Sequence, residues 1–133
     1  MAFVLDASVI LARLAPDEML SPSIMKAIEE EAIVVPALWA FEVANALEVM
    51  RRRGRMDEPA LADAVSLLDS LAPEIEPVST ARCWGSVSEL AHRYRLSVYD
   101  AAYLELAKRR RMPLASLDDA LRKAARRARV KLV

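Results

Sequence analysis

The chain has 133 residues, of which 55% are hydrophobic and 29% are charged, with equal numbers of acidic and basic side chains. This composition is typical of one soluble globular domain and excludes a disordered chain. No apolar run approaches the roughly 20 residues of a membrane span, and Asp6 interrupts the apolar start that a signal peptide would need. A single cysteine and a single histidine, Cys83 and His92, exclude an internal disulfide and a zinc cluster. A cytoplasmic protein is therefore expected.

The balanced net charge conceals a strong segregation along the chain. Residues 1–50 hold eight acids and two bases, whereas residues 51–56 hold four arginines and no acid. Residues 108–133 hold ten bases and two acids. Basic segments of this kind can hold a polyanion, although solvated helix faces are the simpler explanation of any single cluster.

The first elements are predicted to be a strand, two helices and a second strand. The apolar run at residues 3–5 does not alternate, which predicts a strand buried on both faces. A short helix follows it, and a turn is predicted at residues 16–18. Residues 21–31 carry a second helix. The strand at residues 32–35 ends at Pro36, because proline cannot donate to a ladder.

The middle of the chain is predicted to be mainly helical. A long helix at residues 37–53 ends at Gly54, with arginines in its last turn as the helix dipole favours. Another helix covers residues 57–72. A weak strand at residues 75–78 contains Pro77, which places it at a sheet edge.

The last part of the chain alternates helices with strands. Helices are predicted at residues 80–94, 99–107 and 117–129, and strands at residues 113–116 and 130–133. Strands that alternate with helices imply a parallel sheet, here in a single α/β domain over residues 1–133. The chain has only two glycines, which excludes a P-loop and a dinucleotide fingerprint.

Four acidic residues lie in apolar surroundings, three of them beside predicted strand ends. Asp6 follows the first strand, Asp118 follows the fourth, and Asp100 begins a helix. Glu42 lies inside an apolar helical stretch, with Asn45 one turn further along the same face. The three aspartates have an alternative role as helix N-caps, which this residue type often fills. Glu42 has no comparable explanation.

These acids can converge on one rim of the sheet, because open α/β sheets bind ligands at the carboxyl ends of their strands. Four carboxylates without histidine or cysteine suit a hard cation such as Mg²⁺ or Mn²⁺. Such an ion can orient a phosphate and make a water nucleophilic. The pattern therefore favours a phosphodiesterase or a nuclease.

The order of these motifs resembles that of the PIN-domain ribonucleases, and most closely that of the VapC toxins of bacterial VapBC toxin–antitoxin pairs. The resemblance covers the whole chain in size and in the order of its elements. The last two motifs are its most specific part. The motifs are Leu5-Asp6-Ala7-Ser8, Glu42 with Asn45, Tyr99-Asp100-Ala101-Ala102-Tyr103 and Leu114-Ala115-Ser116-Leu117-Asp118.

The resemblance implies a three-layer α/β/α fold with sheet order 3-2-1-4-5 and a Mg²⁺- or Mn²⁺-dependent cleavage of RNA. It implies that Asp6, Glu42 and Asp100 are the core metal ligands. Asp118 would be the fourth acid, with the adjacent Asp119 as an alternative. A homodimer is implied as well, held inactive by an antitoxin whose C-terminal segment covers the acidic pocket.

Other polar residues are expected to assist these acids. Ser8, Asn45 and Ser116 would hydrogen-bond near the ligands and orient them. Phosphate contacts to RNA are expected from residues 108–111 and from a cluster of arginines at residues 51–55. The arginines of that cluster are Arg51, Arg52, Arg53 and Arg55.

The aromatic residues have simpler interpretations than base stacking. Tyr99 and Tyr103 lie at helical spacing, which favours packing in the core or at its rim. Trp39 and Trp84 are assigned to packing or to a partner interface.

Three alternatives compete with this interpretation. A haloacid-dehalogenase-like phosphatase needs a second aspartate two residues after the first, and here that position is Ser8. A receiver domain needs an aspartate at the end of its third strand, and residues 75–78 contain none. A catalytically silent PIN-like module that binds RNA or protein is disfavoured because all four acids are in place.

Overall fold

The computed structural model describes residues 1–15 and 18–133, so most of the turn predicted at residues 16–18 lies outside the described residues. The chain forms a three-layer α/β/α structure around a parallel sheet of four strands in the order β3-β2-β1-β4. The strands are β1 (Ala2–Leu5), β2 (Ala32–Pro36), β3 (Glu74–Glu76) and β4 (Leu114–Ala115).

Eight α-helices are described, together with a π-helical turn at Cys83–Val87. Within the described residues, no helix is both long and apolar enough to cross a lipid bilayer. The helices are α1 (Ala7–Leu14), α2 (Pro22–Glu30), α3 (Leu38–Arg52), α4 (Glu58–Leu71), α5 (Thr80–Arg82), α6 (Ser88–Tyr94), α7 (Val98–Arg110) and α8 (Asp119–Arg127).

The central position of β1 confirms the prediction made from its apolar run. Phe3, Val4 and Leu5 are fully buried, as expected for a strand that helices cover on both faces. Val4 aligns with β2 on one side and with β4 on the other. The predicted fifth strand is reduced to a single bridge at Leu132, because β4 has only two residues to pair with.

The helix predicted at residues 80–94 is not continuous. The chain breaks at Gly85, which has φ −98° and ψ −105°, and the π-helical turn follows the short α5. The Ser88 hydroxyl donates to the Cys83 carbonyl across this turn at 2.6 Å. Helical periodicity alone did not reveal the break, because Val87 and Ala91 beyond it keep helical spacing and pack against α7.

Helix α7 is the principal helix of the core. Residues 101–107 are all buried, and the helix contacts β1, β2 and β4. Its N-terminus, capped by the Ser97 side chain, places Asp100 in its first turn. On α3, Gly54 adopts φ +68° directly after the last turn, which confirms the predicted end of that helix.

Candidate active site at the carboxyl ends of the strands

Asp6 follows β1 and is buried, with 4% of its surface exposed. Its N–H donates to the carbonyl of Ala115 at the end of β4 (3.0 Å). Its Oδ2 accepts hydrogen bonds from the hydroxyls of Ser8 (2.6 Å) and Ser116 (2.8 Å). Burial raises the pKa of Asp6, and these two hydrogen bonds lower it again in part. Although Asp6 stands at the N-cap position of α1, it makes no side-chain cap, so that alternative was wrong.

The two serines also bind the loop between β4 and α8. The N–H of Leu117 donates to Ser8 Oγ and that of Asp118 donates to Ser116 Oγ, both at 3.0 Å. Arg122 on α8 donates to the Ser116 carbonyl at 2.9 Å. Each serine therefore accepts from the loop and donates to the carboxylate of Asp6, which fixes the loop relative to the end of β1.

Glu42 faces the same rim from the second turn of α3. Its Oε1 accepts a 2.5 Å hydrogen bond from the hydroxyl of Tyr103, which is fully buried on α7. Burial raises the pKa of Glu42, the tyrosine hydrogen bond lowers it, and the charge of Asp6 raises it. Burial and the negative carboxylate in turn raise the pKa of Tyr103, so this hydroxyl is a permanent donor.

Asp100 carries the clearest electrostatic mark of a clustered site. Its pKa is raised from 3.8 to about 6, chiefly by burial and then by the charges of Asp6, Asp118 and Glu42. Such an effect requires the other carboxylates to lie close by. The helix cap is supplied by Ser97, whose Oγ accepts from the Asp100 N–H at 3.1 Å. The N-cap alternative for Asp100 was therefore also wrong.

Asp118 fills the N-cap position and also lies close to the other acids. It caps α8, because its Oδ2 accepts from the Leu121 N–H at 2.8 Å. Its charge also contributes to the raised pKa values of Asp6 and Asp100. The adjacent Asp119 is exposed in the first turn of α8. Asp118 is thus the member of this pair that faces the other acids.

The donor set of this rim fits a hard divalent cation, because it offers carboxylate oxygens and no nitrogen or sulfur ligand. Across residues 1–15 and 18–133, no three acidic, histidine or cysteine side chains already stand close enough to hold one ion. Glu42 and Asp118 each have an oxygen committed to a donor of the protein. Ions such as Mg²⁺ keep several waters and can be bound partly through them.

The remaining predicted residues lie outside this cluster. Asn45 is exposed, and no hydrogen bond joins it to Glu42 in the described part of the chain. Arg51 pairs with Glu48 and Glu58, and Arg52 pairs with Glu48, all on the surface. Among the described residues, no carboxylate lies within ion-pair distance of the two other arginines of that cluster, Arg53 and Arg55.

The basic residues at the far end of α7 have a structural role. Arg109 bonds Glu105 and Glu76, each at 2.8 Å, and Arg110 pairs with Glu74 and Glu76. These ion pairs tie α7 to the edge strand β3. They lie at the opposite end of the helix from the first-turn acid, some 13 Å away at 1.5 Å per residue.

Tyr103 is the residue whose role the sequence did not reveal. Its burial agrees with the packing interpretation, but its hydroxyl belongs to the site. One signal was present, since Tyr103 follows Asp100 by three residues and so lies on the same helix face. Trp39 is buried as expected for packing, whereas Trp84 and Tyr99 are exposed.

Comparison with known proteins identifies the family. A family model described as the PIN domain matches residues 3–127. The chain belongs to the PIN-domain family. It is 31% identical over 118 residues to Ribonuclease VapC3 of Pyrobaculum aerophilum, covering 89% of this chain and 90% of that protein. This assignment confirms the resemblance found in the motifs and excludes the phosphatase and receiver alternatives.

Solved structures share the PIN-like fold. The crystal structure of PAE2754 from Pyrobaculum aerophilum superposes with a TM-score of 0.71 at 24% identity, covering 93% of this chain and 79% of that one. The structure of VapBC2 from Rickettsia felis, bound to a DNA fragment from its promoter, gives a TM-score of 0.68 at 13% identity. It covers 100% of this chain and 98% of the other. At these identities the likeness concerns the fold alone.

The raised pKa of Asp100 predicts that the stability of the metal-free protein falls as the pH rises. Because the folded-state value of about 6 exceeds the ordinary 3.8, the folded protein retains a proton between these values that the unfolded chain has released. Without metal, the ionised group therefore disfavours folding above about pH 6, and the penalty is relieved as pH falls. We expect Asp100→Asn in EDTA at pH 7 to melt at or above the wild-type temperature and to lose part of this pH dependence.

Thermal melts between about pH 4 and pH 7 provide the measurement, with the exposed Asp119→Asn as the matched control. The control should keep the wild-type pH dependence. An Asp100→Asn protein that melts well below wild type in EDTA would show instead that this carboxylate stabilises the fold.

Replacement of Tyr103 by phenylalanine should raise the pKa of Glu42. The change removes the hydroxyl that stabilises the ionised carboxylate and keeps the ring that fills the core. The loss of one such bond should cost about 1 kcal/mol of stability. A pH titration of the Glu42 carboxyl carbon by NMR measures the shift. Tyr99→Phe, which removes an exposed hydroxyl, serves as the control, and equal Glu42 titrations in both variants would contradict the prediction.

Proposed function

We propose that this chain is a Mg²⁺- or Mn²⁺-dependent endoribonuclease and the toxin of a toxin–antitoxin pair. The observation that carries the proposal is the meeting of four carboxylates from distant parts of the chain at one rim, with the pKa values of three of them raised. It is supported by membership of the PIN-domain family and by the identity to Ribonuclease VapC3.

In this proposal, Asp6, Glu42 and Asp100 hold the metal ion, and Asp118 holds it through a water. When bound, the ion would orient the phosphodiester, activate a water and stabilise developing charge. The chain's own contribution is orientation, because the carboxylates are held by hydroxyl donors and by a helix N-terminus. Tyr103 is the donor that orients Glu42.

An antitoxin partner is proposed from two observations. A solved structure of the same fold is a VapBC complex of another organism. In this chain, an apolar groove of about 390 Å³ runs between α3 and α4, and it includes the helix that bears Trp39. We propose that the antitoxin's C-terminal segment lies along this groove and reaches the acidic rim. The groove is lined chiefly by Trp39, Val43, Leu47, Val65, Leu68 and Ile75.

For the RNA, we propose that phosphate contacts come chiefly from Arg53 and Arg55. Arg51 and Arg52 are already engaged by glutamates of the surface, which reduces what they can offer to a phosphate. The homodimer implied by the family resemblance is retained as a proposal, and light scattering of the purified protein tests it.

Substitution of the core acids should abolish cleavage. Asp6→Asn and Asp100→Asn each remove a charged oxygen ligand, and we expect Mn²⁺-dependent cleavage of total RNA to fall by more than about 100-fold. Glu42→Gln should fall almost as far, and Asp118→Asn by about tenfold, because its contact is through water. Cleavage rates measured with Mn²⁺ and with EDTA decide the outcome.

The matched control for this series is Asp119→Asn, which lies beside the cluster and should cleave as wild type does. An Asp6→Asn protein that retains EDTA-sensitive cleavage would show that the site is assigned wrongly. A wild-type protein that binds RNA and never cleaves it with Mg²⁺ or Mn²⁺ would favour the silent binding module.

The arginine proposal predicts a strong dependence on salt. Phosphate contacts release counterions, so RNA affinity should fall steeply as the salt concentration rises. Arg53→Glu combined with Arg55→Glu should weaken binding about tenfold or more and flatten the salt dependence, without lowering the melting temperature. Fluorescence anisotropy with labelled RNA measures this, and Lys123→Glu on α8 is the control. Unchanged binding would show that these arginines do not contact RNA and only form the solvated end of α3.

The partner proposal predicts a specific complex. We expect a small antitoxin gene beside this one, and co-expression with it should yield a co-purifying protein that suppresses toxicity. Leu68→Glu places a charge in the apolar groove and should weaken that complex at least tenfold. Asp63→Lys on the exposed part of α4 is the control. If both variants bind the partner as wild type does, the groove is not its docking site.

A further inference from the structure

Three of the four clustered acids directly follow a large apolar residue that is exposed to solvent. Phe41 precedes Glu42 and is 80% exposed, whereas Tyr99 precedes Asp100 and is 64% exposed. Leu117 completes the set, 41% exposed just before the fourth acid. Exposed residues of this size have no part in the core.

Each of these apolar residues borders the acid cluster. Consecutive Cα atoms lie 3.8 Å apart, so side chains that adjoin Glu42 and Asp100 begin at the edge of the same rim. On a helix, neighbouring side chains point about 100° apart. Phe41 and Tyr99 therefore stand beside the carboxylates and do not cover them. The backbone of Leu117 is held at this rim by its hydrogen bond to Ser8.

Helices α3 and α7 each carry one buried and one exposed aromatic side chain. On α3, Trp39 is buried and Phe41 is exposed, and on α7, Tyr103 is buried and Tyr99 is exposed. In both helices, one aromatic ring supports the core and another, placed next to an acid, is left in water. Packing explains the buried pair only.

We propose that Phe41 and Tyr99 stack on the unpaired bases that flank the scissile phosphate of a single-stranded RNA segment, with Leu117 as an apolar contact at the third side. This inference rests on the proposed nuclease function, which places the phosphate at the carboxylates. Aromatic faces beside such a centre can receive bases only when those bases are unstacked from a duplex.

The proposed reaction favours RNA as the occupant of this rim, because it places a phosphodiester at the carboxylates that Phe41 and Tyr99 adjoin. Arg53, on the same helix as Phe41, lies some 18 Å further along the axis, at 1.5 Å per residue. Single-strand binding combines aromatic platforms for the bases with basic side chains that contact the backbone. The antitoxin segment is proposed to dock mainly in the apolar groove between α3 and α4, and where it reaches the rim it would compete with the RNA.

The test compares a substrate that has bases with one that has none. Phe41→Ala and Tyr99→Ala should each raise KM for a short single-stranded RNA about tenfold, with kcat changed by less than about twofold. Cleavage of an abasic oligoribonucleotide with Mn²⁺, which offers phosphodiesters without aromatic rings, should be unchanged. Trp84→Ala, an exposed aromatic residue of the π-helical turn outside the acid cluster and the apolar groove, is the matched control and should leave both reactions unaltered.

Binding measurements separate this inference from the proposed function. The affinity for fluorescein-labelled single-stranded RNA, measured in Ca²⁺ by anisotropy, should fall about tenfold in each variant, even if the wild type proves unable to cleave. Affinity for the same RNA in a duplex should be weak in all proteins. A wild type that binds through these rings and does not cleave would refute the nuclease and support the stacking.

Three results would overturn the inference. Unchanged KM and unchanged RNA affinity in both variants would show that the rings do not contact the RNA. Equal loss of activity on RNA and on the base-free phosphodiester would show that they act on the site itself. Loss of co-purification with the neighbouring gene product, with RNA binding intact, would make the rim a protein-docking surface.

Discussion

The acidic rim depends on how the buried carboxylate of Asp6 is held. One of its oxygens accepts two hydrogen bonds, from the hydroxyl of Ser8 on the following helix and from that of Ser116 directly after β4. Without such donors a buried charge would be expensive, and the group would protonate instead. The same serines accept from the loop after β4, so that one hydrogen-bonded unit joins the ends of two adjacent strands. The fourth acid is positioned by that loop.

Around this unit the structure accumulates negative charge. Asp6, Glu42 and Asp100 all have raised pKa values, first because they are buried and then because neighbouring carboxylates, Asp118 among them, repel their negative charge. A fold gains no stability from such an arrangement, which is typical of functional sites. A divalent cation would relieve the repulsion and stabilise the folded state by mass action. The electrostatics of the metal-free protein and its proposed chemistry therefore share one cause.

Helix α7 separates function from structural support along its length. Its first turn presents Asp100 at the rim, and one turn later Tyr103 is buried where its hydroxyl reaches Glu42 on α3. Its last turn carries Arg109 and Arg110, whose ion pairs fasten the helix to the edge strand. The buried middle of the helix packs on the sheet, and the ion pairs hold its last turn. Together these contacts fix the position of Asp100 in the first turn.

The sequence by itself determined the central strand, the alternation of strands with helices and the four acids, because burial on both faces and isolated charges in apolar segments are visible in local patterns. It did not determine the partner of Tyr103, 61 positions away, or the glutamates of β3 that engage Arg109 and Arg110. Periodicity indicates which face of a helix or strand is buried, but it does not indicate which distant residues contact that face. The break at Gly85 and the reduction of the fifth strand to one bridge were likewise decided by tertiary packing. A local pattern does not indicate how many residues of a neighbouring strand are available for pairing.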